Sequence, residues 1–212
     1  CVQFDQRPGN DFPGADGLRV PGCLDGFELG VRAILGQQIT VQAARTLGAR
    51  LVERLGGTLP NAPQGLTRLF PTPTALAQAT GDDLGQMGIV RQRQRAIQSL
   101  AQAVINGHVV LQPGVDVPAT LDALQALPGI GPWTAQYIAM RALRWPDAFV
   151  AGDVALQNAL AVRGAAHPQQ AAEAASQRWK PWRSYAVVRA WASLANAPPA
   201  AQTGASEQNR KL

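Results

Sequence analysis

Residues 124–153, LQALPGIGPWTAQYIAMRALRWPDAFVAGD, decide the fold of this chain. An apolar helical run reaches Leu127, and a second helical run begins at Pro132. The intervening glycines, Gly129 and Gly131, are free to take positive φ and to let the backbone approach a ligand closely. Pro132 suits the first turn of a helix, because an N–H would have no partner there. The stretch therefore predicts two helices joined by a tight turn.

The start of the second helix in this pair favours an anion. The first amides of a helix have no acceptors within the helix and carry the positive end of its dipole. A DNA phosphate fits such a position. Asp153 lies 22 residues beyond Gly131, at the start of a further predicted helix. Its carboxylate is either an ordinary helix cap or a functional group, and taken alone the residue is compatible with both.

The composition is that of a globular protein with a polyanionic partner. The 212 residues are 46% hydrophobic and 16% charged, with a formal net charge of +5. A basic balance favours nucleic acid, although many soluble proteins are basic as well. Two cysteines, Cys1 and Cys23, are too few for a disulfide scaffold or a four-cysteine iron–sulfur cluster, and two histidines disfavour a histidine metal site. Without an apparent membrane span or signal peptide, a reducing cytoplasm fits best.

The motifs around the turn resemble one family of DNA repair enzymes. The segment LPGIGPWTA (127–135) with the later Asp153 resembles the helix-hairpin-helix motif and catalytic aspartate of the HhH-GPD superfamily of DNA glycosylases. Two more stretches narrow the resemblance to the DNA-3-methyladenine glycosylase II family. They are GLRVPGCLDGFELGVRAILGQQITVQAA (17–44) and RWKPWRSYAVVRAW (178–191). The resemblance covers residues 17–194, most of the chain.

The fold class that follows is all-α, with two helical subdomains, a helix-hairpin-helix motif and a cleft between the subdomains. We expect residues 1–22 to be a linker or the tail of a missing N-terminal domain, 23–196 to be the glycosylase core, and 197–212 to be a flexible tail. Residues 2–4 could form the last strand of that missing domain. Since the chain begins at Cys1 without an initiator Met, we expect it to be a fragment of something longer.

Capping signals place most of the helices. Asp25 and Thr40 are expected to cap helices that end at Gly36 and Gly56, respectively, with Gln37 and Gln38 exposed between them. Thr120 is expected to cap the first hairpin helix. Other helices are expected at 74–79, 82–86, 90–106, 154–162, 168–179 and 181–195, with a proline-containing loop over 57–73.

The resemblance implies an active site built on Asp153 and aromatic side chains. Asp153 would stabilise the oxocarbenium-like sugar as the N-glycosidic bond breaks, and would orient the attacking water. Trp191, Tyr137 and Trp133 would form the pocket for a flipped-out cationic base, although any one of them could equally be a core residue. Bifunctional relatives have a lysine nucleophile at the position of Trp133, so the chain is predicted to be monofunctional.

The same resemblance implies how DNA is held. The residues predicted to contact double-stranded DNA are Gln37, Gln38, Gly129, Gly131 and Thr134, the two glutamines at the gap left by the flipped base. Main-chain carbonyls of Gln125, Leu127 and Ile130 are the candidates for a monovalent cation, Na⁺ or K⁺, that bridges to phosphate. No cofactor is expected to be needed for catalysis. The arginines at 91, 93 and 95 are either a solvated helix face or phosphate contacts.

The function predicted is excision of alkylated purines such as 3-methyladenine in base excision repair. We expect a monomer that does not bind membranes, in a bacterial cytoplasm and associated with the nucleoid through DNA. One alternative is an enzyme of the same superfamily that acts on another damaged base. The other is a helix-hairpin-helix module that binds DNA without catalysis.

Overall fold

The computed structural model describes residues 10–14, 17–60, 62 and 65–195. The strand predicted at residues 2–4 and the tail predicted at 197–212 lie outside these residues. Within the described ranges the regular elements are helices, with one isolated antiparallel bridge between Thr58 and Arg68 in the proline-containing loop. The helices are α1 (Gly26–Leu35), α2 (Val41–Leu55), α3 (Pro73–Gln78), α4 (Gly81–Gln86), α5 (Arg91–Ile105), α6 (Val117–Gln125), α7 (Pro132–Arg141), α8 (Val154–Ala159), α9 (Pro168–Ser176) and α10 (Arg183–Ala195), with a 3₁₀ turn at Gln177–Trp179. The all-α prediction is confirmed.

The chain forms two compact units. The hairpin unit is Gly22–Trp145, and the aspartate unit joins Cys1–Pro21 to Pro146–Leu212. In the hairpin unit α1 packs against α2, α5 and α7, while α5 also packs against α3 and α4. In the aspartate unit α8 packs against α9 and α10.

Each unit has its own apolar core. Helix α1 is central to the hairpin unit, because Val31, Ile34 and Leu35 are fully buried. Trp179 is the largest buried side chain of the aspartate unit, and its indole N–H donates to the Asp11 carboxylate at 2.6 Å. Phe12 packs on the same indole, with ring centroids 5.7 Å apart. The described N-terminal segment is therefore part of the packing of this unit.

The predicted caps of the first two helices are confirmed. The Asp25 carboxylate accepts hydrogen bonds from the amides of Phe27 and Glu28, and the Thr40 hydroxyl accepts from the amide of Ala43. Each bond satisfies an amide that has no partner within its helix. Glu28 pairs with Arg32 at 2.7 Å, one helical turn further on.

The cap of the first hairpin helix was predicted wrongly. Helix α6 begins at Val117, and Asp116 caps it by accepting from the amide of Ala119. Pro118 fits inside the first helical turn, where no N–H is needed, so it does not delay the helix start. Thr120 lies within the helix, where its hydroxyl donates to the Asp116 carbonyl at 2.7 Å.

Two of the later helices are shorter than predicted. Helix α8 ends at Ala159, because Ala161 takes a positive φ of 55° that interrupts the helical bonding. Helix α10 begins at Arg183, two residues beyond the predicted start at Pro181.

Candidate active site and nucleic-acid interface

Asp153 occupies the N-cap of α8 and accepts two hydrogen bonds at the same carboxylate oxygen. The amide of Leu156 donates to Oδ1 at 2.7 Å, and the indole N–H of Trp191 donates to Oδ1 at 3.0 Å. Asp153 is half-buried, and the two bonds fix the orientation of its carboxylate. One donor comes from α8 and the other from α10.

Trp191 therefore has a contact that its sequence position did not reveal. It was predicted as an aromatic wall for a base, and its indole N–H also holds Asp153 from α10, 38 residues along the chain. An indole offers one donor and no acceptor, so this bond uses the whole hydrogen-bonding capacity of the side chain. The half-buried ring remains available for packing or stacking.

An ion-pair network supports the segment that leads to Asp153. Arg183 at the start of α10 donates to both carboxylate oxygens of Asp147, each at 2.9 Å, and to Glu173 of α9 at 3.0 Å. The Arg183 and Asp147 side chains are only 10% and 15% exposed. The Ser184 hydroxyl accepts from the amide of Ala148. These bonds fix the chain just before Asp153 against α10, which also carries Trp191.

The other two predicted aromatic residues lie together in the hairpin unit. Trp133 and Tyr137, one helical turn apart on α7, are stacked, with ring centroids 5.2 Å apart and planes at 6°. Both are half-buried. Arg141 lies one turn further on, with its guanidinium carbon 5.6 Å from the Tyr137 ring centroid. The stack gives α7 an aromatic surface next to a positive charge.

The hairpin turn has one left-handed glycine rather than two. Gly129 has φ +80°, and a Cβ on it would lie 2.9 Å from the Cβ of Ala96. Gly131 has φ −87° and ψ 176°, is the N-cap of α7, and would meet nothing within 4 Å of an added Cβ. Of these two glycines, which the sequence leaves free to take positive φ, Gly129 does so and Gly131 does not. Gly129 is needed for the turn and its packing on α5, whereas Gly131 keeps the surface at the helix start open.

The two predicted DNA-contacting glutamines differ in environment. Gln38 is exposed and has φ +55°, so it projects from the turn between α1 and α2. Gln37 is half-buried, and its amide group donates to the carbonyl of Gly129 at 2.9 Å and to the hydroxyl of Thr134 at 3.0 Å. Thr134 is only 3% exposed, and its hydroxyl serves a contact within the protein rather than one at the surface.

The predicted cation ligands lie around the end of α6. Gln125 is the last residue of that helix, and the Leu127 carbonyl accepts from the amide of Ile130 at 3.2 Å. Carbonyl oxygens at a helix C-terminus carry the negative end of the dipole and suit a hard cation. Among the described residues, no three or more His, Cys, Asp or Glu side chains are grouped so that they could hold a metal ion. Likewise, no helix in the described part of the chain is long and apolar enough to cross a bilayer.

Known proteins with similar sequences include DNA repair enzymes. The DNA-3-methyladenine glycosylase 2 of Escherichia coli is 40% identical over 175 residues, which is 82% of this chain and 60% of that protein. The probable bifunctional transcriptional activator/DNA repair enzyme AlkA of Mycobacterium tuberculosis is 40% identical over 180 residues, which is 85% of this chain and 36% of that protein. This chain thus spans less than two thirds of either relative.

Proteins of known structure share this fold. The DNA-3-methyladenine glycosidase from Bacillus halodurans superposes with a TM-score of 0.69 at 24% identity, over 97% of this chain and 89% of that chain. Residues 31–184 also match the family model of the HhH-GPD superfamily base excision DNA repair protein. That match includes the hairpin and Asp153, and the chain belongs to the HhH-GPD superfamily.

Proposed function

We propose that this chain is the catalytic part of a monofunctional DNA glycosylase that excises alkylated purines such as 3-methyladenine from double-stranded DNA. The observation that carries the proposal is the Asp153 carboxylate, held by the Leu156 amide and the Trp191 indole at the N-cap of α8. The name of the 40%-identical Escherichia coli relative, DNA-3-methyladenine glycosylase 2, supports the choice of substrate.

Asp153 supplies the charge that the reaction needs. When the N-glycosidic bond breaks, positive charge develops on the sugar, and a carboxylate held ready stabilises it without reorganisation in the transition state. The two donors at Oδ1 hold the carboxylate in one orientation. The same group can orient the water that completes the hydrolysis. A cationic alkylated purine is already a good leaving group, so strong protonation of the base is not required.

The aromatic side chains suit a cationic base. Trp133 and Tyr137 form a stacked pair, and Trp191 places a ring next to the catalytic carboxylate. A flipped cationic purine would gain roughly 0.5–2 kcal/mol from each aromatic face that it contacts. A Trp at 133, where bifunctional relatives have lysine, leaves no amine there to form a Schiff base. The product would therefore be an intact strand with an abasic site.

DNA would be held by the hairpin and the neighbouring turn. The start of α7 presents main-chain amides to a phosphate, a contact independent of sequence and sensitive to salt. Gln38, which is exposed, would fill the gap left by the flipped base. The carbonyls of Gln125, Leu127 and Ile130 would hold a Na⁺ or K⁺ ion that bridges to phosphate. The protein would act as a monomer on DNA in the cytoplasm.

The test is base release from duplex DNA that contains methylated purines. We expect free 3-methyladenine by chromatography, with strand breaks that appear only after alkali treatment. Parallel duplexes with hypoxanthine or uracil test a glycosylase for another base. Breaks without alkali would contradict the monofunctional assignment, and binding without release of any base would favour the non-catalytic module.

A further inference from the structure

A side chain of the turn between α1 and α2, Gln37, is hydrogen-bonded to the hairpin. Both bonds of the Gln37 amide nitrogen cross to the hairpin, one to the Gly129 carbonyl and one to the Thr134 hydroxyl. The two acceptors lie 92 and 97 residues away in the chain. They flank the turn, since Gly129 precedes α7 and Thr134 lies in its first turn.

A third element fixes the same turn from another direction. The guanidinium of Arg93, on α5, donates to the main-chain carbonyl of Gln37. Helix α5 also contacts the hairpin directly, because Ala96 packs where a side chain on Gly129 would lie. Three segments that are remote in sequence therefore meet at one residue, Gln37.

The residue held by this arrangement is Gln38. It is exposed and takes φ +55°, a left-handed conformation that a residue with a side chain adopts only at some cost. Such a conformation persists when the surrounding structure fixes the neighbouring backbone. The Arg93 bond to the carbonyl of Gln37 acts on the peptide group that links Gln37 to Gln38.

We infer that Gln37 and Arg93 are positioning residues, which hold the Gln38 turn in a fixed place relative to the hairpin. The inference rests on the proposed glycosylase function, in which the hairpin anchors a phosphate and Gln38 fills the gap in the base stack. Once the phosphate is bound, the Gln38 side chain is already placed for insertion. Base flipping then needs no further ordering of the turn. Arg93 acts inside the protein, and phosphate contact is not its role.

The experiment compares Gln37→Met and Arg93→Met with the wild-type chain. In Gln37→Met the side chain keeps its length and loses the amide donor, and in Arg93→Met it keeps part of the aliphatic stem and loses the guanidinium. We expect each variant to lower the single-turnover rate of base release by about tenfold to a hundredfold, because the inserting side chain is misplaced. The fluorescence of 2-aminopurine next to the lesion, which reports unstacking, should rise less. Affinity for undamaged duplex and its salt dependence should stay as in the wild type, since the phosphate contacts are kept.

The double variant and a matched control sharpen the test. Because both residues act on one turn, the double variant should be no slower than the slower single variant by more than about twofold. Gln98→Met is the control, since Gln98 on α5 donates to the Ala79 carbonyl at 2.7 Å, away from the turn. Gln98→Met should lower the free energy of urea unfolding by about as much as the two test variants do, without a change in base flipping.

Three results would overturn the inference. One is a fall of about one in the salt slope for Arg93→Met, the mark of a lost phosphate contact. Another is a Gln37→Met variant that folds and flips the base to the same extent as the wild type. If Gln37→Met does not fold, Thr134→Val takes its place, because it removes one of the two acceptors of Gln37. Base flipping in Thr134→Val to the same extent as in the wild type would likewise overturn the inference. A wild-type chain that releases no base from any duplex refutes the proposed function instead, so the two failures are distinguishable.

Discussion

At the scale of single residues, Asp153 shows how one side chain combines two roles. Its Oδ1 caps α8 and also accepts the indole N–H of Trp191. The capping bond is common to many helices, but the bond from Trp191 requires a tertiary contact made by α10. A carboxylate held by donors from two elements is oriented before any substrate arrives, which is what electrostatic stabilisation of a transition state requires.

Replacing Trp191 with Phe tests the second of these bonds. Phe keeps an aromatic face and removes the N–H, so base stacking is largely retained while Asp153 loses a donor. A hydrogen bond to a charged group contributes about 1.5 kcal/mol, and we expect the excision rate to fall about tenfold with little change in substrate affinity. Single-turnover kinetics measure both quantities. A rate equal to that of the wild type would show that the bond does not matter for catalysis.

The sequence predicted residues that act through local rules and missed those that act across the fold. Asp25 and Thr40 cap helices through amides two or three residues away, so residue type and position sufficed. The Gln37 bonds depend on how α1 and α7 pack, and nothing in the local sequence distinguishes Gln37 from its exposed neighbour Gln38. Thr120 was misassigned because Pro118 fits within the first helical turn, so the helix begins before Thr120.

At the scale of elements, the hairpin depends on two glycines for different reasons. Gly129 takes a positive φ and faces Ala96, whereas Gly131 has an extended backbone and open space beside it. The spacing of the two glycines predicted the turn, but the assignment of positive φ to one of them required the structure. Their functions in the turn can be separated by mutation.

Alanine at these two positions should give opposite results. Gly129→Ala should lower the free energy of unfolding by about 2 kcal/mol or more, because alanine is strained at positive φ and its methyl group meets Ala96. Gly131→Ala should stay within about 1 kcal/mol of the wild type, yet bind duplex DNA more weakly because the methyl group covers the start of α7. Urea unfolding and DNA titration measure the two effects. Equal destabilisation by both variants would contradict the different roles.

At the scale of the whole molecule, the candidate site residues are divided between two units that each have a core. The hairpin unit contains the predicted phosphate contacts and the Trp133–Tyr137 stack, and the aspartate unit contains Asp153 with Trp191. The residues of the aspartate unit come from both ends of the sequence, as the bond between Trp179 and Asp11 illustrates. Local sequence patterns carry no information on this packing between residues that are remote in the chain.

The Arg183 network should dominate the stability of the aspartate unit. Asp147→Asn leaves a nearly buried guanidinium without its bidentate partner and should cost about 3 kcal/mol of unfolding free energy. Glu173→Gln is the matched change at the outer partner, which is 46% exposed, and should cost less than about 1 kcal/mol. Urea unfolding followed by circular dichroism compares them. Similar losses from both variants would mean that burial does not set the strength of these pairs.

Asp153 is proposed to carry the chemistry, and a comparison of two aspartate variants tests this role. Single-turnover release of 3-methyladenine is measured for the wild type, Asp153→Asn and Asp116→Asn. Both substitutions change an N-cap aspartate into asparagine, which caps helices equally well. We predict a loss of at least about a hundredfold for Asp153→Asn with DNA binding retained, and a rate unchanged by Asp116→Asn. Activity of Asp153→Asn close to that of the wild type would show that the Asp153 carboxylate does not carry the chemistry.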